Sequence, residues 1–206
     1  MTAHPTPRPT PPRRRMAPED RRRQILAGAV SYFAEVGLSG NTRDLSQRLG
    51  VTQSLIFKHF PTKTALQEAV YEQVFLSRIE PHWPALIRDR SRPLLARLEQ
   101  FYTEYTRAIF TYEWMRIFMF SGLEGAELNR RYLGHLQQVI LSPMLEELNA
   151  AIAPEVAGPE DIWRLHGSII YIGIRRFVYQ TPTPQDEGPA VLDSVAHFLG
   201  RWPGLV

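Results

Sequence analysis

Cysteine is missing from all 206 residues. That excludes disulfides, thiolate zinc sites and cysteine nucleophiles, and it suits a reducing compartment, for which the cytoplasm is the default expectation. Long apolar runs are missing too. The best candidate, SIIYIGI from Ser168 to Ile174, stops at Arg175 and Arg176, far short of the roughly 20 residues that span a bilayer. The first residues, MTAHPTPRPTPPRRR, have no apolar segment after their arginines and do not read as an export signal. We expect a soluble intracellular protein with no membrane partner. Catalytic signatures are equally scarce: the sequence shows no glycine-rich phosphate loop, no nucleophile elbow and no histidine-carboxylate cluster. His135 and His166 lack paired metal-ligand spacing. No metal or cofactor is therefore expected, and an all-helical enzyme is the weakest functional reading.

Lysine is also rare, and its placement is informative. Both lysines, Lys58 and Lys63, lie in or beside GVTQSLIFKHFPTK, residues 50–63. The net charge of +3 hides an asymmetry, because residues 1–63 hold 11 Lys and Arg against 4 Asp and Glu, leaving 13 against 17 for the remainder. A basic module at one end points to a polyanionic partner, with a solvated arginine face as the alternative.

Helical signals dominate what is present. Residues 1–17 are too proline-rich to hold a helix and read as an extended basic arm. Pro18 suits a first helical position, Glu19 and Asp20 suit the first turn, and Leu26, Ala29, Val30 and Phe33 recur at helical spacing until Gly37, giving a helix over about 18–36. Asn41 or Thr42 can cap a short second helix with Leu45 and Leu49 on its apolar edge. Gly50 supplies a turn, and Thr52 caps the next helix. In that helix Ile56 and Phe60 share one face while Ser54 and Lys58 point away. Pro61 ends it, and Thr62 can cap a long helix reaching about Ile79. Two short helices joined by a glycine turn form a helix-turn-helix, whose second helix commonly reads the DNA major groove.

The stretch from Arg23 to Leu66, with ILAGAVSYFAEVG, NTRDLSQRLGVT, SLIFKHF and TKTAL in that order, resembles the TetR/AcrR family of transcriptional regulators. The resemblance implies an all-α homodimer with three segments: the arm at 1–17, a three-helix helix-turn-helix DNA-binding domain at 18–64, and a helical effector-binding and dimerisation domain at 65–206. It implies phosphate contacts from Thr42, Thr52 and Lys63. It places Gln53, Leu55, Lys58 and His59 near bases or backbone, with Arg43, Ser54 and Phe57 also in the DNA-facing set. Phe57 stands where the family usually has a phosphate-holding tyrosine, and Ser54 where it often has glycine. The effector does not come with the match.

Chemically, Gln53 can pair with adenine, Lys58 with guanine O6 and N7, and Leu55 with a thymine methyl. Plain solvation or a phosphate contact is the alternative for Lys58, helix-end packing for His59, and core burial for Leu55. Arg8, Arg13, Arg14 and Arg15 are candidates for the minor groove, with a solvated tail as the alternative.

Beyond residue 65 helices are expected throughout, with Pro143 kinking or breaking one that runs from Leu128 to about Ile152. EWMRIFMFSGL, residues 113–123, is apolar nearly all round and should be buried on several sides. Trp83, Phe101, Tyr105, Trp114 and Phe118, with His135 and Tyr171 as polar groups, are candidates for an effector pocket, although aromatic stripes are more often core. Ile162, Leu165, Ile169 and Ile172 track one late helix and Val195, Phe198 and Trp202 the last. Following the resemblance these seven are assigned to a dimer interface, while the chain's own core is the alternative. The functional expectation is a repressor that a small apolar or amphipathic effector releases from a palindromic operator on double-stranded DNA. An effector-independent or activating regulator is the alternative.

Overall fold

The computed structural model describes residues 16–125, 127–153 and 156–205. The arm residues 1–15, with Arg8, Arg13, Arg14 and Arg15, lie outside the described residues. Among those described, the structure is all-helical and no helix is long and apolar enough to cross a membrane. A head is formed by α1 (Pro18–Val36), α2 (Thr42–Leu49) and α3 (Gln53–His59), and α4 (Lys63–Val74) leads from it into the body.

Local chemistry explains the head's boundaries. Pro18 opens α1, with Glu19 and Asp20 in the first turn facing the positive end of the helix dipole. Asn41, not Thr42, caps α2, its side chain accepting the Arg43 N–H at 2.7 Å. Gly50 ends α2 at φ 61°, a left-handed conformation that glycine adopts without strain. Thr52 caps α3 by accepting the Leu55 N–H, and Thr62 caps α4 by accepting the Ala65 N–H. The long helix expected to reach Ile79 stops at Val74 and tightens into a single 3-10 turn, Leu76–Arg78. Glu80 and Pro81 follow, and a residue preceding proline is steered away from helical geometry.

The body comprises α5 (Trp83–Arg88), α6 (Leu94–Ile109), α7 (Tyr112–Leu123), α8 (Glu127–Leu136), α9 (Ser142–Ile152), α10 (Pro159–Phe177) and α11 (Gly188–Leu199). Where a kink or break is expected at Pro143, the helix continues through a wide π-helical turn, Gln137–Leu141, in which the Ser142 N–H bonds to Gln137 O. Proline has no N–H and its ring crowds the preceding turn, and the widened ladder lets the helix pass it without breaking. Helix α7 lies against α1, α8 and α10. Its Trp114, Met115 and Ile117 are buried, which accounts for an apolar sequence on nearly every side. At Gly173 an added Cβ would stand 2.5 Å from Met115 Cε and 2.8 Å from Phe110 Cε1, so the absence of a side chain there makes room for both.

One ionic cluster ties three body segments. The Glu147 carboxylate of α9 is buried and accepts from Arg90 Nε and Nη2, each at 3.0 Å, and from Arg97 Nη1 at 2.9 Å. Arg97, only 4% exposed, also donates to Ile87 O, and its Nε is left without a partner. The hydrogen bond from Arg90, reinforced by Arg97 against the cost of burial, holds the Glu147 carboxyl below its ordinary value of 4.5. Removing the carboxylate strands a buried guanidinium. E147A should therefore lower stability by about 3–5 kcal/mol in urea unfolding at neutral pH. Because the folded pKa is depressed, the contribution is complete above 4.5 and disappears as pH falls through the folded value. The wild-type and E147A midpoints should thus converge in acid, and a constant gap down to low pH would contradict the assignment.

Candidate nucleic-acid interface

Helix α3 presents two unlike faces. Ile56 and Phe60 are 0% and 1% exposed, sealed into the core with Ile25, Ala29, Phe33, Leu45 and Leu66. Ser54 and Lys58 are exposed, and Gln53, Leu55, Phe57 and His59 are half-buried. Burying one such apolar side chain contributes roughly 1.5–3 kcal/mol, so rolling α3 to hide Lys58 would sacrifice several kcal/mol. The polar face is held outward by the core behind it.

Contacts among the expected DNA-facing residues are internally organised. Gln53 Nε2 donates to Thr42 Oγ1 at 2.8 Å, bridging the starts of α3 and α2. Thr42 is itself buried, and its hydroxyl accepts this bond inside the head. The Ser54 hydroxyl lies 3.0 Å from the Thr52 hydroxyl. Arg43 is exposed in the first turn of α2. Lys63, half-buried at the start of α4, donates from Nζ to Ser39 O at 2.7 Å. The Tyr32 hydroxyl of α1 donates to Asn41 O at 3.2 Å and accepts from the Asn41 N–H at 3.0 Å, which places the start of α2. Arg48 pairs with Glu35 and ties α2 to α1, holding that carboxyl below its usual range.

Sequence reasoning missed one cation at this surface. The Arg22 guanidinium of α1 sits 4.5 Å over the Phe60 ring and so stands beside the end of α3. Its triple-arginine context, Arg21 to Arg23, was visible in the sequence, but only the fold brings it to α3.

The expected effector residues fall into two packed aromatic clusters and two solvent-facing positions. Trp83, Phe101 and Tyr105 are buried against one another with ring centroids 5.3–5.6 Å apart. Trp114 stacks on Phe118 at 4.9 Å and meets Phe75 and Tyr132 edge-on. A 2.8 Å bond between the Tyr105 and Tyr132 hydroxyls joins the two clusters, and burial pushes both phenols well above their ordinary range. His135 and Tyr171 face solvent. His166, deep beside Tyr102 and Tyr105, is pushed down to about 4 by burial and is neutral at physiological pH. A cleft of about 340 Å³ lies elsewhere, between α6 and the approach to α11, lined by Thr103, Arg107, Phe110, Phe177 and Val191 among others.

The residues assigned to a dimer interface are packed inside the single chain. Ile162, Leu165, Ile169, Val195, Phe198 and Trp202 are all under 9% exposed and Ile172 is half-buried, all packed within this chain's own core. An apolar stripe shows that a helix face is covered without showing by what, and here α6, α7 and α9 cover it. The outward sides of the same helices carry Gly167, Ser168, Tyr171 and Leu192 instead.

Comparison with known proteins places this geometry. Residues 25–70 match the family described as bacterial regulatory proteins, tetR family. No curated protein matches the chain. Among solved structures, AmtR from Mycobacterium smegmatis is similar with a TM-score of 0.66 at 18% identity, over 93% of this chain and 90% of that one. PfmR from Thermus thermophilus, a TetR family transcriptional regulator, aligns with a TM-score of 0.58 at 20% identity, over 84% and 97%. A tetR-family regulator from Streptomyces coelicolor gives 0.60 at 16%, over 90% and 81%. At these identities the likeness is one of fold. Residues 25–70 thus match the bacterial regulatory proteins of the tetR family, and the described residues share the all-helical fold of solved regulators of that family.

Proposed function

We propose that this protein is a cytoplasmic transcriptional regulator that binds duplex DNA as a homodimer, inserting α3 of each subunit into the major groove. The observation that carries the reading is the outward polar face of α3, with Ser54 and Lys58 exposed while Ile56 and Phe60 are sealed behind them. Gln53, Leu55, Lys58 and His59 supply base-edge or nearby backbone contacts, and Arg43, Thr52 and Lys63 serve the phosphates. The head extends from α1 to the start of α4, and the body from there onward pairs the subunits. Helix α4 runs unbroken across the junction at residue 64, so body movements are transmitted to the head through a continuous rod.

Two subunits related by a twofold axis require an operator with inverted half-sites, their centres one helical turn apart, about 34–36 Å. Repression follows if the operator overlaps a promoter, and release follows if a small apolar or amphipathic molecule favours a body conformation that spoils the spacing. An effector-independent regulator is a second reading that one observation favours: Trp83, Phe101, Tyr105 and Trp114 fill the body's core against one another.

Selection from random duplexes should enrich an inverted repeat. Against it K58A should bind roughly tenfold more weakly at fixed salt, without a change in unfolding midpoint. Enrichment of single, unpaired half-sites would contradict the dimeric reading, and an unchanged K58A affinity would contradict the role of α3. For the subunit contact, the exposed outward side of α10 at Gly167, Ser168 and Tyr171 is the surface to test. G167R should shift sedimentation toward the monomer while the helical spectrum is retained, whereas an intact dimer would place the contact elsewhere.

A further inference from the structure

The short turn between α1 and α2 is pinned from both the head and the body. Gly37 stands there at φ 86°, Leu38 is buried, and Ser39 is exposed at the apex. From α4, Lys63 Nζ donates to Ser39 O at 2.7 Å and Gln67 Nε2 donates to Leu38 O at 2.8 Å. From the body, the Glu124 carboxylate just past the end of α7 accepts the Ser39 N–H at 3.1 Å and the Ser39 hydroxyl at 3.2 Å. An added Cβ at Gly37 would stand 2.4 Å from Glu124 Oε1, so glycine is what lets the carboxylate come this close. Along the same helix, Arg116 Nε donates to Ala34 O at 2.6 Å, so α7 also holds the C-terminal end of α1.

We propose that Glu124 is a positioning residue for DNA binding: by fixing both donors of Ser39, its N–H and its hydroxyl, it sets the carbonyl that orients the Lys63 ammonium toward the phosphate backbone. The proposal rests on the DNA-binding reading above and adds the route by which the body acts on it. An ammonium has three N–H donors. One is engaged by Ser39 O, which leaves two for a phosphate and removes much of the rotamer freedom that an unheld lysine would lose on binding. The attachment runs through the end of α7, whose Trp114 and Phe118 pack against Phe75 and Tyr132. A displacement of α7 therefore reaches Lys63 through Glu124 and Ser39, alongside the path through α4. The acceptor role needs oxygen lone pairs and no charge, so a glutamine at this position keeps a partner for the Ser39 N–H.

The test is a set of anisotropy titrations against the duplex enriched by selection, repeated over a range of salt, with wild type, K63A, E124A, E124Q and the double variant E124A/K63A. K63A should bind roughly tenfold more weakly with a log–log salt slope shallower by about one. E124A should weaken binding about fivefold, while E124Q stays at or above wild type. In the K63A background E124A should have no further effect, because the group it positions is gone. The proposal is overturned if E124A binds like wild type, if it costs the same factor with and without Lys63, or if E124Q loses as much as E124A. Failure of the wild-type protein to retain any duplex is a separate result, and it would remove the DNA-binding reading together with this one.

Discussion

The burial of Ile56 and Phe60 is the constraint on which the functional account depends. A helix of seven residues has too few turns to hold its orientation by itself. Its roll is set by Ile56 within it and by Phe60 just past its end, both sealed in the head's core, and what it offers to solvent follows from that. Ser54 and Lys58 point outward because the opposite side of the helix is fully occupied. The Thr52 cap at one end and Pro61 beyond the other fix where the helix starts and stops. What remains is a short polar ridge on a rigid base, the arrangement that groove reading requires.

Helix α1 belongs to two structures at once. One side completes the head's core through Ile25, Ala29 and Phe33, while its C-terminal end is held by Arg116 and the following turn by Glu124. Head and body are therefore joined by polar contacts at the α1–α2 turn as well as by the continuous backbone of α4. Polar contacts of this kind are directional, so a small movement of α7 changes them more sharply than it would a greasy interface. The ionic cluster around Glu147 lies elsewhere in the body, between α9 and the α5–α6 region, and serves to lock that part while leaving α7 to its own contacts.

Much of the head was legible in the sequence because its signals are local. Gly37, Gly50, Thr52 and Thr62 act within a few residues of themselves, and each ends or caps the element that its chemistry implies. The all-helical body was legible for the same reason. Less accessible was which surface each apolar stripe meets. Ile162, Leu165, Ile169, Val195, Phe198 and Trp202 form the periodic stripe that a subunit interface would use, yet this chain closes its own core with them. Likewise, Trp83, Phe101 and Tyr105 carry the composition of a pocket wall and fill the space with one another. Periodicity reports burial and not the identity of the covering partner. Long-range polar ties such as Ser39 to Glu124, 85 residues apart, have no local signature at all.

The scarcity of lysine makes the central claim open to a direct measurement. Lys58 and Lys63 are the only lysines in the chain, so reductive methylation read by mass spectrometry reports on the head's side chains alone, apart from the chain's amino terminus. With the enriched duplex bound, the account predicts that Lys58 becomes strongly protected while remaining freely modified in the unbound protein. Equal modification of Lys58 with and without saturating duplex would contradict it, because the outward face of α3 would then not be the surface that meets DNA.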